Sequence, residues 1–129
     1  LEHDPDAETV WYAMGICALR MGALGGAEPA LRRVLELNPK STQAMLALSA
    51  VLLQRGRADE AESECRRAIR TDRDNWKAHA NLARILEHRG DVSGALDAAE
   101  EAVRRDDNPA TRALVKELKE KSAPTGGVR

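Results

Sequence analysis

The feature that most constrains this chain is an internal repetition. Gly22, Gly56 and Gly90 stand 34 residues apart. Ala27, Ala61 and Ala95 keep that interval, as do Val34, Ala68 and Ala102, then Met14, Leu48 and Leu82, and finally Ala18, Leu52 and Leu86. Five series at one period require a supersecondary unit that recurs and stacks on copies of itself. Composition decides what that unit is made of. Alanine supplies 22 of 129 residues, whereas aromatics are limited to Trp11, Tyr12 and Trp76, with no Phe. A sheet draws on β-branched and aromatic residues, so the repeating unit is helical. A 34-residue period leaves room for two helices, with the glycine ending the first, where a left-handed residue is wanted. The predicted helices are 8–21, 26–37, 42–55, 59–71, 76–89, 93–105 and 109–121. The second is expected to open late, because Gly25-Gly26 is a poor helix start and Pro29 fits only a first turn.

Within each repeat the first helix carries a small residue, Gly15, Ser49 or Ala83, and the second carries Ala27, Ala61 or Ala95 opposite it. Small residues let two backbones approach while larger neighbours interlock on the flanks. This pattern resembles the tetratricopeptide repeat family, with repeats at 8–41, 42–75 and 76–109. Trp11, Met14, Gly15 and Ala18, then Ala27, Leu31, Val34 and Pro39, fall on the family's signature positions in repeat one. Repeat two matches through Leu48, Ser49, Gly56, Ala61 and Ala68, and repeat three through Leu82, Ala83, Gly90, Ala95 and Ala102. Met45 and His79 stand at the family's tryptophan position, and Arg73 and Asp107 replace its closing proline. The resemblance implies an all-α, right-handed helical-repeat superhelix, an α-α solenoid of seven antiparallel helices. One domain over 8–121 is expected, closed by a capping helix at 109–121 that Asn108 caps and Pro109 opens. That helix would bury Ala110, Ala113, Leu114 and Leu118. Residues 1–7 and 122–129 read as flexible ends.

Charge and motif content exclude several functions. Twenty Lys and Arg against twenty-one Asp and Glu leave a net charge of −1, which offers nucleic acid no attraction. The arginine pairs Arg32-Arg33, Arg66-Arg67 and Arg104-Arg105 read as solvated helix faces balanced by nearby acids. The chain has no run of 18 apolar residues to insert in a membrane. No basic-then-apolar leader opens it, so a cytoplasmic setting is the default. No phosphate loop, nucleophile elbow or paired-histidine helix is present. No catalytic residue, cofactor or metal is therefore expected, and the chain reads as no enzyme. His79 reads as a packed histidine and His88 as a surface one. Cys17 and Cys65 are expected on buried faces, as small hydrophobes.

The resemblance implies a binding groove lined by the first helices of the repeats. Its candidate residues are Tyr12, Ile16 and Arg20, then Gln43, Leu46, Ala50 and Leu53, then Lys77, Asn81, Arg84 and His88. The family's carboxylate clamp for peptide C-termini is matched only at Lys77, and not at Tyr12, Ile16, Ala47 or Asn81, so a chaperone-tail receptor of that kind is not expected. The segment Ala44 to Leu53 is apolar nearly all round, which marks a helix buried on most sides. The expected function is a non-enzymatic scaffold. It would bind a protein or peptide with apolar anchors on Tyr12, Ile16, Leu46 and Leu53, and with acids for Lys77 and Arg84. The alternatives are self-assembly into a homo-oligomer through the groove or a terminal edge, and a recognition segment within a larger protein.

Overall fold

The structure is a computed structural model and describes residues 4–122. The described residues form seven α-helices and no strand. They fall into two compact units, residues 1–72 and 73–129. The first holds α1 (Pro5–Arg20), α2 (Leu24–Leu37), α3 (Thr42–Gln54) and α4 (Ala58–Thr71). The second holds α5 (Trp76–His88), α6 (Val92–Arg105) and α7 (Pro109–Ser122). Each helix of the first unit packs on the next, and α1 also touches α3. In the second unit α5 packs on α6 and α6 on α7.

The same turn is built three times. Gly22, Gly56 and Gly90 have φ of 76°, 81° and 87°, the left-handed region that a side chain disfavours. The residue after each glycine donates back five positions: Ala23 N to Ala18 O at 2.8 Å, Arg57 N to Leu52 O and Asp91 N to Leu86 O at 2.9 Å. Carbonyls orphaned at the helix end are thereby satisfied. The predicted close seams are also present. Ala27, Ala61, Ala83 and Ala95 are wholly buried. A Cβ built on Gly15 would lie 2.8 Å from Leu31 Cγ and Cδ2, so α1 and α2 approach as only a glycine allows. Ser49 Oγ donates to the Ala61 carbonyl at 3.0 Å across the α3–α4 seam, which satisfies a hydroxyl that is 1% exposed.

Three boundaries differ from expectation. Helix α1 begins at Pro5, not residue 8, so residues 5–7 are helical and not a flexible end. Asp4 caps it, its Oδ1 accepting from Asp6 N at 3.0 Å and Ala7 N at 3.3 Å, and Pro5 takes the first turn, where no N–H is needed. Helix α2 begins at Leu24 and carries Pro29 inside it. The proline forgoes one bond to Gly25, and the burial of Ala27, Ala30, Leu31 and Val34 holds the turn regardless. Ser122 closes α7, and the expected frayed tail beyond it lies outside the described residues.

The inner face of α7 also differs. Ala110 and Ala113 are exposed, and the buried residues are Thr111, Leu114 and Leu118. Thr111 enters the core because its polar atoms are satisfied locally. Its hydroxyl accepts from Asn108 N at 3.1 Å and lies 2.9 Å from Asp106 O, and its own N–H donates to Asn108 Oδ1 at 3.0 Å.

Candidate functional site

The eleven groove residues divide between the units, seven on α1 and α3 and four on α5. In the first unit, α3 has eight buried residues, including Leu46, 8% exposed, and Leu48 and Val51, fully covered. Its partly accessible apolar residues are Ala50 and Leu53, one helical turn apart. On α1 the residues one period before Ala50 and Leu53, Ile16 and Leu19, are likewise half-buried, and so is Tyr12, the counterpart of Leu46. The apolar surface offered by α1 and α3 is therefore Tyr12, Ile16, Leu19, Ala50 and Leu53. Leu46, expected as an anchor, is a core residue instead. Arg20 and Gln43 flank this surface and are exposed.

The second unit is charged where the first is apolar. Arg84 and Glu87 stand 34 residues after Ala50 and Leu53. Arg84 Nη1 donates to Glu117 of α7 at 3.1 Å and lies 3.5 Å from Glu87. Lys121 binds Glu87 and reaches Glu117 at 3.4 Å. The Arg84 hydrogen bond is the main reason that the Glu117 carboxyl is held below its ordinary value, and the Glu87 bond the main reason that Lys121 is raised. Arg84, expected to await a ligand's acid, is thus already engaged by α7. Lys77 is exposed, its ammonium 5.9 Å from the centroid of the Trp76 ring. Asn81 is half-buried and His88 exposed. His79 is 7% exposed, with Nε2 2.9 Å from the Arg73 carbonyl, as a packed histidine should be.

The arginine pairs are balanced on their own helices. Arg32 reaches Glu28 at 2.8 Å, Arg66 reaches Glu62 at 2.9 Å, and Glu101 holds both Arg104 and Arg105 at 2.8 Å. Glu28 is the most loaded carboxylate, since Arg57 and Arg55 also meet it, at 2.8 Å and 3.3 Å. Burial pushes its pKa up, but the hydrogen bonds and charges of Arg32 and Arg57 outweigh that and leave it below 4.5. A depressed folded-state pKa stabilises the fold above the unfolded value, and this contribution is lost as pH falls through the folded pKa. All three guanidinium groups are more than a third exposed, so water screens them, and Glu28→Gln should cost about 1 kcal/mol at neutral pH. Urea unfolding at pH 7 and at pH 3 checks this: the gap between wild type and variant should close at the lower pH.

One prominent surface was not anticipated. Cys17, expected to be buried, is exposed, and with it Val10, Met14 and Met21, at 56%, 52% and 81%. Met14 belongs to the same series as Leu48, which is covered, so a period comparison marks it as a core position but cannot say whether a neighbour exists. Cys65 is buried as expected, and burial pushes its thiol up to about 12. Among the described residues no group of three His, Cys, Asp or Glu could hold a metal ion, and no helix is long and apolar enough to cross a membrane.

Paired helices with small-residue seams, left-handed glycine turns and side chains presented along helix faces define a helical-repeat protein of the α-α solenoid class. The chain belongs to the tetratricopeptide-repeat family: the family model described as the middle TPR-like domain of cilia and flagella-associated protein 70 matches residues 1–104. No curated protein matches the sequence. Among solved structures, a mutant of the Thermobaculum terrenum O-GlcNAc transferase superposes with a TM-score of 0.87 at 22% identity over 95% of this chain, which spans 24% of that one. The first TPR of Spaghetti (RPAP3), bound to an HSP90 peptide, superposes at 0.84 with 15% identity, covering 94% of this chain and 97% of that one. The Yersinia enterocolitica type III secretion chaperone SycD, in complex with a peptide of the translocator YopD, gives 0.83 at 16% identity, with 94% and 98% covered. At these identities the likeness is one of fold.

Proposed function

We propose that the chain is a non-enzymatic protein-interaction scaffold that holds a peptide or partner helix on the partly accessible apolar surface of α1 and α3. The observation that carries this reading is the α1–α3 surface. Tyr12, Ile16, Ala50 and Leu53 stay partly accessible in a unit whose other large apolar residues on α3 are packed away. Such a surface, with exposed Arg20 and Gln43 beside it, suits an apolar anchor on a peptide with polar flanks. Two of the structural neighbours carry peptides, which supports the class of ligand. The ligand of the RPAP3 domain is not transferred, because only Lys77 matches the carboxylate clamp. The alternative, a recognition segment of a larger protein, draws support from the "middle" domain that the family model describes and from the transferase chain, of which this sequence spans a quarter.

The test is selection of displayed peptides on the 129-residue chain, followed by titration of the selected peptides against Ile16→Glu and Leu53→Glu. Both positions are partly exposed, so the charge reports on binding, whereas Leu46→Glu would disturb the core. Each variant should weaken binding by about tenfold or more, as loss of a central anchor does. Peptides that bind both variants as tightly as the parent would refute the surface.

A further inference from the structure

We propose that the cleft between α2 and α4 is a docking pocket for one tryptophan or tyrosine side chain of a partner protein. This goes beyond the peptide-binding reading, since it uses the second helix of each pair and none of the α1–α3 surface. Arg32, Leu35 and Glu36 of α2 and Glu64 and Arg67 of α4 line a cleft of about 280 Å³. Small-molecule sites run to roughly 300–1,000 Å³, so this space suits one large side chain and not a cofactor. Both ends of the cleft are tied. Near the start of α4, Arg32 Nη2 lies 3.9 Å from Glu60, and Arg57 joins Glu60 to Glu28, each at 2.8 Å. Beyond the end of α2, Arg67 Nη2 donates to the Pro39 carbonyl at 3.1 Å. The cleft is therefore framed before anything enters it.

The occupant follows from the lining. Two arginines and two glutamates leave the cleft without net charge. An anion there meets Glu36 and Glu64, and a cation meets Arg32 and Arg67, so a neutral group is favoured over both. The arginines set its shape. Each already uses N–H groups in its own plane: Arg32 on Glu28 through Nε at 2.9 Å and Nη2 at 2.8 Å, and Arg67 on Glu64 through Nη1 at 3.1 Å as well as on Pro39. A guanidinium engaged in its plane is pre-ordered and keeps its faces for stacking on an aromatic ring. Leu35, half-buried, adds the apolar contact. An indole N–H or a phenol O–H then has Glu36 or Glu64 to donate to, which a phenylalanine ring lacks. The residues beside the cleft, Arg33, Glu60 and Arg66, are exposed and charged, the polar rim that surrounds an aromatic anchor in a protein interface. A second copy of this chain is a poor source of the ring. Its aromatics are Trp11, Tyr12 and Trp76, and all three are half-buried on α1 and α5.

Backbone amide shifts of the 129-residue chain, followed by NMR during titration with N-acetyl-tryptophan amide up to about 10 mM, test the proposal. The neutral probe should move Leu35, Glu64 and Arg67 and saturate with a millimolar Kd, the range open to a single side chain. Anionic N-acetyl-tryptophan and cationic tryptamine should each bind at least about threefold more weakly. Arg67→Gln should weaken the neutral probe by about tenfold. Arg67→Lys keeps the charge but not the plane, and should weaken it by about threefold. The Arg67 side chain is 41% exposed, so both substitutions leave the core intact. Leu53→Glu should bind the probe like the parent, which separates this cleft from the peptide surface. No shift at Leu35 over that range overturns the proposal, as does a probe that binds either Arg67 variant as tightly as the parent. A preference for the anion would make the cleft a carboxylate site and overturns it as well.

Discussion

Gly15→Leu should lower the stability of the α1–α4 unit by about 3 kcal/mol, at the upper end of what overpacking costs. The Cβ alone would stand 2.8 Å from two atoms of Leu31, and Leu31 is 0% exposed. That side chain has no solvent to swing into, so the helices must separate or Leu31 must leave its rotamer. Helix propensity works the other way, favouring leucine over glycine by roughly 0.8 kcal/mol, which is too little to offset the clash. Gly15→Ala carries the same Cβ clash without the atoms beyond it, and after the gain in helix propensity should still destabilise, by about 1 kcal/mol. Urea unfolding followed by circular dichroism gives both numbers. The decisive comparison is Gly15→Leu in a Leu31→Ala background, where the two changes should cost less together than their sum, because the incoming side chain fills the vacated space. Strict additivity would mean that the strain lies elsewhere.

The same seam explains why so much of the fold is legible in the sequence. Close approach of two backbones admits only Gly, Ala or Ser at the crossing, so the crossing repeats as a visible letter every 34 residues. A left-handed turn admits glycine most easily, so the turn repeats as Gly22, Gly56 and Gly90. What the sequence leaves open is which faces find a neighbour. Met14 and Leu48 are equivalent letters, yet one is half exposed and the other fully covered, because among the described residues α2 packs on α3 while no helix covers that side of α1. Leu46 and Leu53 read alike as groove residues, but the packing of the first unit covers the first and leaves the second partly open. The burial of Thr111 is not legible in the sequence, because its local hydrogen bonds depend on a turn that Asn108 creates. Arg84 reads from the sequence as available to a ligand, because pairing with Glu117 requires knowing that α7 folds back beside α5. Helix α1 began early for a readable reason, the Asp4-Pro5 pair, whose capping sense was hidden among neighbouring acids.

Leu118→Ala should have an effect of similar size, about 3 kcal/mol, but confined to the second unit. Leu118 is 0% exposed and, with Leu114 and Thr111, forms the whole buried face of α7. A 14-residue helix is marginal without such packing, so the lost methyl groups weaken the docking of the entire element. The ion pairs that join α7 to α5 cannot make up the difference, since Arg84, Glu117 and Lys121 are all more than a third exposed and water screens them. Amide exchange in α7 should therefore rise by about two orders of magnitude while α1–α4 is unchanged. Leu118→Met, which keeps the volume, should cost less than about 1.5 kcal/mol and preserve the protection. Undocking of α7 would also part Arg84 from Glu117, so an acidic peptide that gains affinity for the alanine variant would identify α7 as a competitor for the charged face of α5. If α7 keeps its protection in Leu118→Ala, the ion pairs rather than the buried leucines hold it, and the screening argument is wrong for this helix.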